Sequence, residues 1–163
     1  MKRRDIILLS VVVVCVFVLL IVIFAGGIFG YFLLEDIGKK PQEVVINVSA
    51  PNEVGVGEVF DIVIVISNFG DESVLLQDVD IPVKYFDYVG FMRSEPAFVD
   101  SVDAWLLDEN TYSYYIEVPA GGELVLSLSF MAENAGKLDG TFDVCIDSVS
   151  NCFPQLLYII ITE

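Results

Sequence analysis

The chain has 163 residues, 24 acidic side chains against 8 basic ones, a formal charge of −16 and no histidine. So acidic a chain repels phosphate backbones, which excludes nucleic acid as a partner. The lack of any imidazole removes Ser-His-Asp and Cys-His triads, histidine-ligated zinc and haem, and the usual general base near neutral pH.

Residues 1–5 are a short basic tail with Lys2, Arg3 and Arg4, and from Ile6 to Leu34 no residue is charged. About 20 apolar residues cross a hydrocarbon core roughly 30 Å thick, so residues 6–34 are predicted to span a membrane as one helix. The β-branched runs Val11–Val14 and Ile21–Ile23 form helix poorly in water. In lipid the backbone must pair within the segment, and the helix forms regardless. The basic N-terminal flank orients the tail to the cytoplasm and the remainder outside; Lys39 and Lys40 weaken that bias. A cleaved signal peptide also begins with basic residues and an apolar run. This run well exceeds the roughly 7–15 residues of such a segment, and Ile23-Phe24-Ala25 is a poor cleavage site. Gly26 and Gly30 form a G-x-x-x-G spacing that lets two helices approach closely and so admits a homo-oligomer. Glycines that simply face lipid are the plainer alternative.

Residues 35–42 turn polar, with Gly38, Lys39, Lys40 and Pro41, and read as a stalk too short to carry residues 43–163 far from the bilayer. From residue 41 onward three basic residues stand against 21 acidic ones, a formal charge of −18. That balance describes a solvated acidic exterior, or one that attracts calcium or a basic partner.

The rest reads as short alternating strands broken by turn residues. Val44, Ile46 and Val48 alternate, and Pro51, Gly55 and Gly57 mark a turn region. Phe60, Ile62, Ile64 and Ile66 form one face of a long strand that stops at Asn68-Phe69-Gly70-Asp71. Strands follow over Val74 to Ile81 and Val83 to Phe91. Tyr112 to Val118 alternates up to Pro119-Ala120-Gly121-Gly122, and Leu124, Leu126, Leu128 and Phe130 alternate next. Phe142, Val144 and Ile146 repeat the pattern, and Gln155 to Thr162 forms a last apolar strand. Seven or eight strands at this spacing predict an antiparallel Ig-like β-sandwich.

Cys15 lies within the apolar run, while Cys145 and Cys152 lie seven apart in the outer domain. If Asp147 to Asn151 makes a turn, the latter two face each other across a hairpin as a disulfide. A redox-active pair is the alternative, without C-x-x-C spacing and without a basic neighbour to lower a thiol pKa. Residues 94–110 break the rhythm and suit a short helix or an irregular connection. Trp105 there is a core plug or an exposed platform for a sugar or peptide. Asp100, Asp103 and Asp108 could gather calcium with backbone carbonyls, although they do not match an EF-hand loop. Asp78 and Asp80 alternate on one strand face, where paired carboxylates could act on sugars, but acidic neighbours are expected at this composition. Asn47-Val48-Ser49 is a formal N-glycosylation acceptor. Its place in a predicted strand argues that the match is chance.

The run from Pro51 through Gly55, Gly57-Glu58, the alternating Phe60 to Ile66 and Asn68-Phe69-Gly70 resembles the opening of CARDB-type and related Ig-like domains of bacterial and archaeal surface proteins. Pro119-Ala120-Gly121-Gly122-Glu123, leading into Leu124 to Phe130, is similar to a later turn and strand of those domains. The resemblance implies an extracytoplasmic Ig-like fold over residues 43–163 and a role in adhesion or protein contact. It carries no catalytic residues, and residues 83–110 depart from a minimal member. The expectation is a single-pass, membrane-anchored binding or adhesion module that is not an enzyme, needs no cofactor and meets a protein partner in the cell envelope. The alternative is an accessory or assembly subunit of a larger membrane complex or surface filament.

Overall fold

The computed structural model describes residues 43–104 and 108–163. The chain divides between Lys39 and Lys40, and all described residues belong to the second unit. The predicted membrane span 6–34 with Gly26 and Gly30, the tail, the stalk and Trp105 lie outside the described residues. Among the described residues no helix is long and apolar enough to cross a membrane.

Among the described residues ten strands build two sheets. They are β1 (Val44–Ser49), β2 (Glu53–Gly55), β3 (Val59–Asn68), β4 (Val74–Pro82), β5 (Val89–Glu95), β6 (Asp100–Ala104), β7 (Glu109–Val118), β8 (Glu123–Ala132), β9 (Gly136–Ile146) and β10 (Cys152–Thr162). One sheet has the order β1-β3-β8-β5 and the other β2-β10-β9-β4-β7-β6. Every pairing is antiparallel except β2 with β10, where Glu53 to Gly55 run parallel to Ile160 to Thr162. The fold is therefore a β-sandwich, as the alternation requires.

The period of two decides what is inside. Phe60, Ile62, Ile64 and Ile66 of β3 and Leu126, Leu128 and Phe130 of β8 are buried on one inner face. Leu76, Val79 and Ile81 of β4, Tyr112 and Tyr114 of β7, Phe142, Val144 and Ile146 of β9, and Leu157, Ile159 and Ile161 of β10 are buried on the other. Each such aliphatic or Phe side chain contributes about 1.5–3 kcal/mol on leaving water. At the junction of β5 and β6 the core is aromatic. Phe91 stacks on Tyr112 at 4.9 Å between ring centroids, and Phe98 meets Tyr112 edge-on at 5.2 Å.

The strand count exceeds the seven or eight expected, because two strands owe their existence to their neighbours. β2 is three residues inside the Pro51–Gly57 turn region, held by the end of β10. β6 is the polar run Asp-Ser-Val-Asp-Ala, paired along β7 from Asp100↔Ser113 to Ala104↔Glu109. Residues 94–110 thus hold a strand, reached through a cis Glu95–Pro96 peptide. The expected strand over Val83 to Phe91 is also corrected. Val83–Asp87 is a 3-10 helix, and β5 begins only at Val89. Adjacent Tyr85 and Phe86 both pack on the core, which a strand forbids; in a three-residue turn Tyr85 and Tyr88 share a side. The last strand starts earlier than Gln155, at Cys152.

At β4 the alternation slips. Leu76 pairs with Ile146 and Asp78 with Cys145, so Gln77 is an extra residue against β9. This bulge lets Leu76 and Val79, three positions apart, both point inward, and it turns Asp78 and Asp80 to the outer face.

Candidate contact surface

The outer face of the six-stranded sheet gathers acidic side chains from adjacent strands. Asp80 of β4 stands directly opposite Asp143 of β9 on one side and Thr111 of β7 on the other. Thr111 Oγ1 donates to Asp80 Oδ1 at 2.6 Å. One step along, Ser113 Oγ donates to Asp78 Oδ1 at 2.5 Å, and Asp78 is only 2% exposed. Asp78 and Asp80, which could in principle act as a pair, are therefore unequal. Asp78 is buried and engaged by a hydroxyl, and Asp80 carries the accessible oxygen.

Burial pushes the Asp80 pKa above its ordinary value of 3.8; the Thr111 hydrogen bond lowers it, and the charges of Asp78 and Asp143 raise it further. Burial also raises Glu109, followed by the charges of Asp80, Asp143 and Asp108. Among the described residues, the charges that act on these two carboxyls are all acidic. Asp143, Glu109 and Thr111 escaped the sequence reading. Asp143 was legible as an outward neighbour of Val144, but its place opposite Asp80 depends on the Gln77 bulge.

Cys145 and Cys152 are directly paired across β9 and β10 and joined as a disulfide, with Cα atoms 3.9 Å apart. Residues 147–151 make the turn: Asn151 Nδ2 donates to the Ile146 carbonyl and Asp147 Oδ1 accepts from Leu75 N–H. Cys145 Sγ lies 3.4 Å from Asp80 Oδ2. A disulfide sulfur has no proton, so this is a contact and not a hydrogen bond. Asp80, Cys145 and Cys152 are the one group of potential metal ligands brought together among the described residues, and the disulfide withholds both thiolates from a metal.

The structure does not bring Asp100, Asp103 and Asp108 together. Asp100 and Asp103 project from opposite faces of β6 by the strand period, and Asp108 follows in the next turn with φ 59°. All three are exposed.

A second acidic feature lies at one end of the sandwich, where the turns 69–73 and 147–151 meet Glu43. An open recess of about 190 Å³ is lined there by Glu43, Asn68, Asp71, Glu72, Ser73 and Asp147. Phe69 and Val149, each 71% exposed, stand at the tips of these turns. Asn68 ties this end together. Its Nδ2 donates to the carbonyls of Glu72, Val118 and Pro119, and its Oδ1 accepts from Gly70 N–H. Beside it, Gly122 N–H closes a turn onto the Pro119 carbonyl. Gly121 holds φ at 64° there, which costs a residue without Cβ little.

No family model matches the chain, and no curated protein matches it. Solved structures resemble it at low identity. The cupredoxin domain of amoB from Nitrosocaldus yellowstonii aligns at 11% identity and a TM-score of 0.46, covering 76% of this chain and 90% of that one. The CARDB domain of a Pyrococcus furiosus protein, in complex with di-metal ions, aligns at 11% identity and a TM-score of 0.44, covering 77% and 91%. A cohesin module from a Clostridium perfringens family 33 glycoside hydrolase aligns at 11% identity and a TM-score of 0.46, covering 74% and 97%.

Proposed function

We propose that the chain is a membrane-anchored, extracytoplasmic, non-catalytic binding module, and that the outer face of its six-stranded sheet receives a basic protein partner. The observation that carries this reading is Asp80 directly opposite Asp143, with Glu109 on the adjacent strand, and among the described residues the charges that act on Asp80 and Glu109 are all acidic. Repulsion among these carboxylates is relieved when a cationic surface arrives. Such complementarity chiefly speeds encounter and selects the partner. The charge-free run 6–34 with its basic flank supports the anchor. The Pro51–Gly70 pattern, similar to CARDB-type domains, supports a contact role.

The test is capture from envelope extracts by the full chain in mild detergent. The triple substitution Asp80→Asn, Asp143→Asn, Glu109→Gln should abolish salt-sensitive capture of a basic protein. Capture that survives the triple substitution unchanged refutes the face. Protease shaving of intact cells tests the topology separately, and a domain protected from external protease refutes the extracytoplasmic reading.

A second reading, an accessory subunit of a larger membrane complex, rests on the end that bears Glu43. The exposed Phe69 and Val149 tips stand at the end of the domain that bears Glu43, and together they offer a partner subunit an apolar contact. In native mass spectrometry from detergent, Phe69→Ser with Val149→Ser should then release an associated subunit. A lone monomer before substitution rejects this reading.

A further inference from the structure

The outer face of the four-stranded sheet carries an uncharged patch beside its β1 edge. On the four-stranded sheet the rows Asn47–Val65–Val125 and Ser49–Val63–Ser127 run across β1, β3 and β8 without a charged residue, and Glu95 and Arg93 of β5, Asp61 of β3 and Glu123 of β8 border them on the same face. Asn47 and Ser49 are both exposed on this face, while the intervening Val48 packs against the core. β1 pairs only with β3 and is an edge strand. The Asn-x-Ser spacing therefore delivers an amide and a hydroxyl, two positions apart, to the same open surface.

We propose that Asn47 is an N-glycosylation site and that the attached saccharide lies across these two uncharged rows. The inference rests on the extracytoplasmic reading above. Location in a strand is no obstacle here. Val65 and Val63, the partners of Asn47 and Ser49, lie well downstream in the chain. During N-to-C-terminal export the acceptor emerges extended and unpaired, before β3 can fold against it. Once β1 has docked, the outward side chain keeps the saccharide clear of the core.

The reaction uses an activated donor, a saccharide carried on a polyisoprenyl diphosphate, and a membrane transferase that reads the hydroxyl at Ser49. The bond from Asn47 Nδ2 to the anomeric carbon forms. The anomeric C–O bond to the diphosphate breaks, the diphosphate leaves with the electron pair, and one amide proton passes to a base on the transferase. No electron is gained or lost.

The face suits this occupant better than a second copy of the chain. Two copies would bring together bodies that each carry −18, whereas a saccharide adds no such repulsion. Covering the two rows also desolvates no carboxylate, a cost that the acidic face of the other sheet would impose.

The test is mass spectrometry of the full chain isolated from its native membranes. The peptide containing Asn47 should carry a saccharide mass increment. Asn47→Gln and Ser49→Ala should each lose it completely, and Ser49→Thr should retain it. An unmodified Asn47 in a domain open to external protease overturns the site and leaves the binding-module reading standing. A domain closed to external protease overturns both. An unmodified Asn47 in a dimer whose contact maps to Val65 and Val125 also overturns the proposal, and gives the face to a second copy.

Discussion

Asp80 and Asp143 face each other directly across β4 and β9, with the Cys145 sulfur 3.4 Å from Asp80 Oδ2. Like charges opposite one another on one sheet face oppose pairing, by about 0.2–1 kcal/mol for ordinary cross-strand pairs. Asp80 is half-buried and its pKa is raised above 3.8, first by burial. The folded state therefore holds this proton in a pH window where the unfolded chain has released it. Stability falls as pH rises from 3.8 through the raised value, and the penalty is constant above it. Asp80→Asn keeps an acceptor for Thr111 and removes the charge. It should raise the thermal midpoint at neutral pH by an amount equivalent to about 0.2–1 kcal/mol and lose that advantage below pH ~3.8. A variant less stable than the parent at pH 7 would show that the carboxylate is not the destabilising group.

The same pair shows what the sequence could and could not convey. β3 and β8 were legible because Phe60 to Ile66 and Leu124 to Phe130 alternate without interruption, and burial follows that period. β4 was legible as a strand but not in phase. Strict alternation from Leu76 would carry Asp78 and Asp80 into the core, and only the extra Gln77 against β9 turns them to the outer face, where Asp78 stays buried and Asp80 is half-buried. A bulge is a property of two strands, so a pattern read along one strand omits it. The disulfide was legible because two cysteines flank a run of turn residues. β2 and β6 were hidden because their pairing comes from β10 and β7 rather than from their own side chains. The opposition of Asp80 and Asp143 depends on both the bulge and the register, and so emerged only with the fold.

Asn68 looks like an ordinary turn residue in the sequence, yet it is 1% exposed and its side chain bonds four backbone groups. Removing the amide leaves the Val118 carbonyl buried without this donor and frees the 69–73 turn from the 119–122 turn. Asn68→Ala should cost about 2–3 kcal/mol, the penalty for orphaned buried partners rather than the modest net value of the bonds. Asn68→Asp should recover little, since a carboxylate offers three carbonyls no donor. Thermal unfolding monitored by far-ultraviolet circular dichroism decides this. A loss well under 1 kcal/mol for Asn68→Ala would mean that water replaces the amide.

The Cys145–Cys152 bond closes a short loop whose turn is already fixed by the Asn151 and Asp147 side chains. Loop entropy alone assigns it about 2–2.5 kcal/mol. Because folding of the hairpin does not depend solely on the bond, Cys145→Ser with Cys152→Ser should stay folded with a lowered midpoint, and β9 and β10 should lose hydrogen-exchange protection first near 147–151. Complete unfolding of the double variant under native conditions would show that the turn cannot hold the hairpin unaided.

Tyr85 anchors the 3-10 helix in the core, 3% exposed, and its hydroxyl is buried without a hydrogen-bond partner. Burial, followed by the charge of Asp139, pushes its pKa up from 10.0 to about 12. Between these values the folded state keeps a proton that the unfolded chain gives up. Stability supplied by the neutral phenol is therefore whole below pH 10 and drains away as pH climbs toward 12. Tyr85→Phe removes both the orphaned hydroxyl and this linkage. It should hold or raise stability at neutral pH, by up to about 1 kcal/mol, and it should flatten the fall in thermal midpoint above pH 10. Tyrosinate absorbance followed through an alkaline titration supplies the independent check. In the parent, Tyr85 should ionise together with unfolding, and an early ionisation in the intact fold would place its hydroxyl in water.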